Sequence, residues 1–182
     1  VLSMFDYIVV GAGSAGCVLA NRLSANPATT VLLLEAGKKD RSPFIHMPAG
    51  VGQLIAGKAY NWSFDTAPEP QLENRRLFWP RGKGLGGSSS INGMVYIRGH
   101  AQDFDRWRQL GNEGWSYEEV LPYFKRSMHQ ERGADEFHGV GGPLNVKDGA
   151  SPLPTHKVFI QAGIEAGYDF NADFNGAEQE GV

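Results

Sequence analysis

The amino-acid sequence predicts an α/β fold built on one strand–helix–strand unit, with long loop excursions around it. Three observations carry this. Within the first 34 residues the apolar pattern changes from strand to helix and back to strand. A G-x-G-x-x-G hexapeptide, Gly11-Ala12-Gly13-Ser14-Ala15-Gly16, stands at the first change. Glycine supplies 24 of the 182 residues, well above its usual share of roughly 7%. Glycine serves left-handed turns and close backbone approach, so its excess asks what the backbone must come near.

Phe5-Asp6-Tyr7-Ile8-Val9-Val10 reads as a short buried strand, β-branched and aromatic, that ends at Gly11. From Ser14 to Ala25, Ala15, Val18, Leu19 and Leu23 recur at helical spacing until Asn26-Pro27 stops the run. Val31-Leu32-Leu33-Leu34 is too short for a helix and reads as the second strand. Such a unit takes parallel strands and a right-handed crossover. Lys38 to Pro80 loses all periodicity and holds five prolines, a loop-rich excursion longer than a compact domain usually leaves unstructured.

The densest glycine cluster follows, Gly82-Lys83-Gly84-Leu85-Gly86-Gly87-Ser88-Ser89-Ser90. Its serines can cap a helix, and the apolar Ile91, Met94, Val95, Tyr96 and Ile97 after it suggest an element that packs. Asp103 to Leu110 predicts a helix with Phe104, Trp107 and Leu110 on one face. Ser116-Tyr117-Glu118-Glu119 is a capping box, with Trp115 and Val120 placed as a hydrophobic staple. The helix it opens turns Val120, Leu121, Phe124 and Met128 inward, and Pro122 is expected to kink or restart it. Phe137 to Val146 is glycine-rich and ends in a strand-like Pro143-Leu144-Asn145-Val146. A last amphipathic helix, with Val158, Phe159 and Ala162 inward, runs from Thr155 to Ala166 and stops at Gly167.

Composition excludes several classes of function. With 17 basic and 20 acidic residues the formal net charge is −3, without the basic stripe of a nucleic-acid binder. The single cysteine, Cys17, allows neither a disulfide framework nor a cysteine zinc site, and a small buried helical position suits it. No histidine pair has metal-ligand spacing, and no metal is expected. The longest apolar runs are far shorter than the roughly 20 residues of a membrane span. The N-terminus passes from Val1-Leu2-Ser3-Met4 into the strand pattern without a basic leader or cleavage site. A reducing, cytoplasmic compartment follows as the default expectation, with peripheral attachment at the inner membrane as its variant.

The hexapeptide gains meaning from its context. A strand precedes it, a helix follows, and Glu35 ends the second strand 19 residues after Gly16, the Rossmann-like dinucleotide fingerprint. Gly11 permits the tight turn, Gly13 lets backbone approach a pyrophosphate, and Gly16 lets helix pack on strand. The helix N-terminus offers N–H donors to phosphate, and Glu35 would accept from an adenosine ribose. The fingerprint serves NAD and FAD alike. An NAD-dependent dehydrogenase and a non-catalytic dinucleotide-binding module therefore stand beside a flavoprotein at this point.

The match of particular residues goes further. Asp6 to Leu23, Leu34-Glu35-Ala36-Gly37, Asn61-Trp62 and above all Gly82-Lys83-Gly84-Leu85-Gly86-Gly87-Ser88-Ser89-Ser90-Ile91-Asn92-Gly93-Met94-Val95-Tyr96-Ile97-Arg98-Gly99, closed by Asp105, resemble the glucose–methanol–choline (GMC) flavoprotein oxidoreductases. Phe104-Asp105-Arg106-Trp107, Trp115-Ser116-Tyr117 and Leu121-Pro122-Tyr123-Phe124-Lys125 add to the likeness, which spans the chain and is strongest toward the bacterial choline and aliphatic alcohol dehydrogenases. The resemblance implies a Rossmann-like FAD-binding domain over residues 1–150, with the excursion 38–80 inside it. Residues 151–182 would begin the substrate domain or the segment connecting to it. The chain would then be an incomplete part of a larger two-domain flavoprotein.

The implied cofactor is FAD. Its pyrophosphate would lie at Gly11, Gly13, Ser14, Ala15 and Gly16, its ribose on Glu35 beside Ala36, and its adenine end near Trp62. Arg81, Gly86, Gly87 and Ser88 would meet the phosphates or ribityl chain. Asn92, Gly93, Met94 and Val95 would run along the isoalloxazine. Some members tether the flavin through a histidine in the segment where this chain has Ile91, so non-covalent FAD is expected. The implied reaction is oxidation of an alcohol to an aldehyde or ketone, a base taking the hydroxyl proton while hydride passes to flavin N5.

In the family that base is a histidine far toward the C-terminus, so no catalytic residue is expected here. The partners would be an alcohol substrate and the remaining C-terminal part of the same enzyme, joined across an apolar interface. His46, His100, His129, His138 and His156 lie in no catalytic motif and are assigned surface or hydrogen-bonding roles, with His46 the one to watch. Trp79, Trp107 and Trp115 are expected in the core rather than on the cofactor.

Overall fold

The computed structural model describes residues 4–149 and 153–182. It divides into two compact units, Val1–Val95 and Tyr96–Val182. The expected domain boundary at 150/151 and the first three residues of the N-terminal reading lie outside the described residues.

The first unit opens with β1 (Tyr7–Val10), α1 (Ser14–Leu23) and β2 (Val31–Leu34). The strands are parallel in register from Tyr7 against Val31 to Val10 against Leu34. Asp6 clamps their starts together: its carboxylate accepts from the Thr30 N–H at 2.7 Å and the Thr30 hydroxyl at 2.8 Å. Those two bonds hold its pKa below the ordinary value. The ladder runs one residue on, where Gly11 N–H donates to the Leu34 carbonyl at 2.8 Å and the chain turns away with φ +93°.

The strands are not the buried pair their composition suggests, since Ile8 and Val10 are 60% and 81% exposed. A parallel sheet hides both faces only when helices or further strands cover them, and here one helix packs on two strands. Cys17, expected buried, is likewise exposed, its thiol donating to the Ala12 carbonyl at 3.3 Å.

The excursion 38–80 contains structure that loss of periodicity concealed. α2 (Val51–Ala56) follows a 3₁₀ turn at Pro48–Gly50, and β3 (Phe64–Asp65) pairs antiparallel with β4 (Phe78–Trp79). The spacing of Val51, Leu54 and Ile55 was the available signal for α2, but six residues are too few to stand out from a Gly/Pro-rich background. The serines of the second glycine cluster cap no helix. Gly87–Ser90 is a 3₁₀ turn without a side-chain cap, because Ser88 accepts from Gly82 N–H and Ser90 donates to the Leu85 carbonyl. In the segment after it Ile91 is buried and Tyr96 half-buried, while Met94, Val95 and Ile97 are exposed.

The second unit holds α3 (Ala101–Gln109), α4 (Tyr117–Ser127), β5 (Met128–Gln130), β6 (Leu144–Val146) and α5 (Pro154–Glu165). Both α3 and α4 start with reciprocal capping boxes, His100 with Asp103 and Ser116 with Glu119. α4 runs through Pro122 without restarting; Pro122 and Glu118 are exposed, so the carbonyl it leaves unbonded faces water. The helix ends one residue short of Met128, which instead begins β5, parallel to β6 and fully buried.

The core of this unit gathers Phe104, Val120, Met128 and Val146. Of the apolar face expected on α3, Phe104 is buried and Leu110 exposed. Trp107 and Trp115 pack edge to face at 5.7 Å, both about half exposed rather than in the core, and Trp79 of the first unit is as exposed. Trp115 thus meets Trp107 of α3. α5 exposes Val158 and Phe159 and buries none of its residues. Ala166 N–H closes its end on the Ala162 carbonyl, before Gly167 turns left-handed at φ +95°.

A polar network staples the second unit. Arg98 is 7% exposed and donates to the Phe137 carbonyl at 2.8 Å and to Met128 Sδ at 3.0 Å. His138, expected to take a surface or hydrogen-bonding role, is 1% exposed. Its Nδ1 lies 2.8 Å from Asp135 Oδ1, and its Nε2 lies 3.3 Å from Asp173 Oδ2 without the angle of a hydrogen bond.

Candidate cofactor-binding site

In the first unit the two glycine clusters fold onto each other. Gly86 N–H donates to the Ala12 carbonyl at 2.8 Å, and Gly13 bridges Gly86 in parallel. Gly87, left-handed at φ +55°, passes so close that a Cβ there would meet Gly13 Cα at 2.8 Å. A Cβ on Gly16 would collide with the Gly11 carbonyl. The third fingerprint glycine is thus required for the approach of α1 to the β1 turn.

Glu35 ties these loops together. Its Oε2 accepts from Ala12 N–H and its Oε1 from Gly37 N–H, each at 2.8 Å. Burial works to raise its pKa, but the N–H groups of Ala12, Gly37, Gly84 and Ala36 outweigh it and hold the carboxyl below its ordinary value. Of those N–H groups Ala12 and Gly37 make hydrogen bonds of good geometry, one to each oxygen, and a carboxylate has about four acceptor positions, so each oxygen keeps a lone pair for ribose hydroxyls.

Around this point lies an open cleft of about 690 Å³, within the usual size of small-molecule and cofactor sites, roughly 300–1,000 Å³. Val10, Gly11, Gly13, Leu34, Glu35, Ala36, Trp62, Phe64, Arg81, Gly82, Gly87 and Ser88 line it. Of the residues singled out from sequence, it therefore gathers Gly11, Gly13, Glu35, Ala36, Trp62, Arg81, Gly87 and Ser88. Ser14, Ala15 and Gly16 form the first turn of α1 and do not line it, and Gly86 stands against Gly13.

Asn92, Gly93, Met94 and Val95 lie outside the lining and are exposed, with Asn92 Oδ1 accepting from Met94 N–H at 2.9 Å. His46, His100, His129, His138 and His156 do not line the cleft. His46 Nε2 lies 2.7 Å from the Asp40 carbonyl.

Two residues at the wall went unassigned in the sequence. Phe64 stacks parallel to Trp62 with ring centroids 5.8 Å apart, and Lys83 holds its ammonium 4.3 Å from the Trp62 ring centre. Strand alternation gave no signal for Phe64, because β3 begins at Phe64 and Ser63, between it and Trp62, is left-handed at φ +53°.

A strand–turn–helix with its glycines in close approach, and a carboxylate ending the second strand, is the arrangement of the dinucleotide-binding fingerprint. The chain belongs to the GMC oxidoreductase family, whose N-terminal family model matches residues 5–182. It is 56% identical over 180 residues to an alcohol dehydrogenase [acceptor] of Pseudomonas putida, covering 98% of this chain and 33% of that protein. An oxygen-dependent choline dehydrogenase of Sinorhizobium fredii is 52% identical over 176 residues, with 97% and 32% covered.

Among solved structures, pyridoxine 4-oxidase from Mesorbium loti superposes with a TM-score of 0.91 at 37% identity, over 98% of this chain and 35% of that one. A formate oxidase superposes with a TM-score of 0.85 at 30% identity, over 97% and 33%. The chain spans about a third of the length of the curated relatives it matches. Among the described residues no helix is long and apolar enough to cross a membrane.

Proposed function

We propose that this chain holds FAD for an enzyme that oxidises an alcohol to an aldehyde or ketone. The observation that carries this is the meeting of the two glycine segments beside Glu35. FAD, when bound, supplies a flavin ring that accepts hydride from the alcohol carbon. The chain's own part is to bind and orient. Gly11 and Gly13 present backbone to a pyrophosphate, Glu35 offers its remaining lone pairs to ribose, and Trp62 gives the adenine end an aromatic wall. Arg81, Gly87 and Ser88 form the opposite side, and Asn92 to Val95 are assigned to the flavin ring.

Ile91, buried at 4% exposure, has no atom that could bond the flavin, which supports non-covalent FAD. We assign residues 1–150 to the FAD-binding domain and 151–182 to the start of the substrate domain or its connection. The proton acceptor belongs to the remaining C-terminal part, which we propose as the partner across an apolar interface that would cover exposed side chains such as Ile8. An alcohol is the proposed substrate because two similar proteins carry alcohol or choline dehydrogenase in their names.

Titration of the protein with FAD, NAD and NADP, followed by flavin fluorescence and calorimetry, tests the reading. FAD is expected to bind, and Glu35→Gln to weaken it about tenfold through loss of a charged acceptor. Binding of NAD in preference to FAD overturns the proposal.

A further inference from the structure

Asn61 is 2% exposed and does not line the cleft, yet its carboxamide joins three segments that do or that stand behind it. Nδ2 donates to the Ile55 carbonyl at 2.7 Å, one of the last carbonyls of α2 that helix geometry leaves unpaired. Oδ1 accepts from Ser63 N–H and Arg81 N–H, each at 3.0 Å. Ser63 sits at φ +53°, an uncommon conformation for a residue with a Cβ, and the bond from its N–H compensates. Trp62, between Asn61 and Ser63, donates its own N–H to the Arg81 carbonyl at 2.8 Å. Both backbone groups of Arg81 are thus taken by this one corner.

We infer that Asn61 is the positioning residue of the cofactor cleft, setting the Trp62 and Arg81 walls through a single carboxamide. The inference rests on the FAD reading above. The site demands one donor and an acceptor for two N–H groups within the reach of one short side chain, and asparagine provides that set. Aspartate keeps the acceptor but, when ionised, turns its second oxygen on the Ile55 carbonyl, acceptor against acceptor. Serine reaches fewer of the partners. In either variant the walls must be ordered when ligand binds instead of beforehand, and that cost lowers affinity.

The test is titration with FAD of wild type, Asn61→Asp and Asn61→Ser, each at several pH values, with stoichiometry fitted beside Kd and thermal unfolding recorded without FAD. The expected result is full stoichiometry with Kd raised about tenfold in both variants. As pH falls, Asn61→Asp alone should regain affinity relative to wild type, because a protonated carboxyl again donates to Ile55 while accepting on its other oxygen. Asn61→Ser carries the test should the aspartate variant not fold. Kd within about twofold of wild type in both variants overturns the inference while leaving the FAD reading intact. So does a fall in stoichiometry at unchanged Kd, which assigns Asn61 to folding alone. Wild-type protein that takes up no FAD overturns the functional reading and the inference with it.

Discussion

Both units bring glycine backbone onto backbone, but they bury different side chains, few in the first and a mixed apolar and polar set in the second. In the unit ending at Val95, the close contacts are Gly13 with Gly87, Gly37 with Lys83 and Gly84, and Gly82 with Gly87. Its buried apolar side chains among the described residues are Ala12, Leu54 and Ile91. In the unit beginning at Tyr96, Phe104, Val120, Met128 and Val146 are buried together with Arg98, Gln130 and His138. The difference follows from the task. A pyrophosphate is approached by N–H groups only where no Cβ intervenes, so the cofactor-facing unit gives up side-chain core for bare backbone. The other unit also brings Gly139 onto Lys125 backbone and Gly142 onto Met128 backbone, and adds a charged network around Asp173.

That contrast breaks most visibly within one unit, by the same substitution at two glycines. At Gly37 an alanine Cβ would fall onto the Lys83 carbonyl and Gly84 nitrogen, backbone that cannot swing aside. Gly37→Ala should destabilise the protein by about 1–3 kcal/mol. At Gly52, inside α2, an added Cβ meets nothing within 4 Å. Gly52→Ala should stabilise by roughly 0.5–1 kcal/mol through helix propensity. Urea midpoints at constant m check both. If Gly37→Ala proves neutral, backbone contact is not what holds this unit.

The second unit should yield instead to loss of a charge. Asp173 accepts from Asn175 N–H at 2.9 Å and from Arg132 Nη2 at 2.7 Å, and it lies 3.3 Å from the buried His138 ring. Burial pushes its pKa up, but the Asn175 N–H, Arg132 and His138 prevail and hold it below the ordinary value. A depressed folded pKa stabilises above the unfolded value, about 3.9, and the gain is lost as pH falls through the folded one. Asp173→Asn should therefore cost about 1–2 kcal/mol at neutral pH. The variant's unfolding should also be less sensitive to acid below about pH 4. Chemical denaturation at pH 7 and pH 3 checks the pair.

The two units were unequally legible in the sequence, for the same physical reason. Local devices could be read directly: β2 at its limits, the fingerprint turn, and the Ser116 capping box each depend on residues a few positions apart. The distant meetings could not. Nothing along the chain says that Gly86 will lie on Ala12 or that Asn61 will reach both Ile55 and Arg81, since glycine and asparagine suit any turn equally well. His138 gave no sign of burial because Asp173, which faces its second ring nitrogen, lies far along the chain. Burial was overestimated at Ile8, Val10, Met94, Val158 and Phe159, because apolar character records a need for cover without naming what covers it. Of the cofactor cleft, the glycines, Glu35, Trp62 and Arg81 were readable as motif. Phe64 was not, and Asn61 and Lys83, though inside the matched motifs, showed no task of their own, since they act through Trp62 and Arg81.

Lys83 sharpens the comparison at its finest scale, being a charged side chain at work inside the backbone-built unit. Its ammonium lies 4.3 Å from the Trp62 ring centre, while the residue does not line the cleft. The charge therefore acts on the indole of Trp62, which is part of the wall of the site. Such a contact is worth roughly 0.5–1 kcal/mol where partly exposed, less than either the Gly37 or the Asp173 effect. Lys83→Met preserves the apolar stem that covers the ring and removes only the charge, so FAD affinity should fall about two- to fivefold. Lys83→Arg keeps a cation over the indole and should restore it. A lysine that instead met a phosphate directly would give the FAD affinity a salt dependence that Lys83→Met abolishes. Equal salt slopes in wild type and Lys83→Met, together with the affinity loss, place the charge on Trp62; unequal slopes place it on the phosphate.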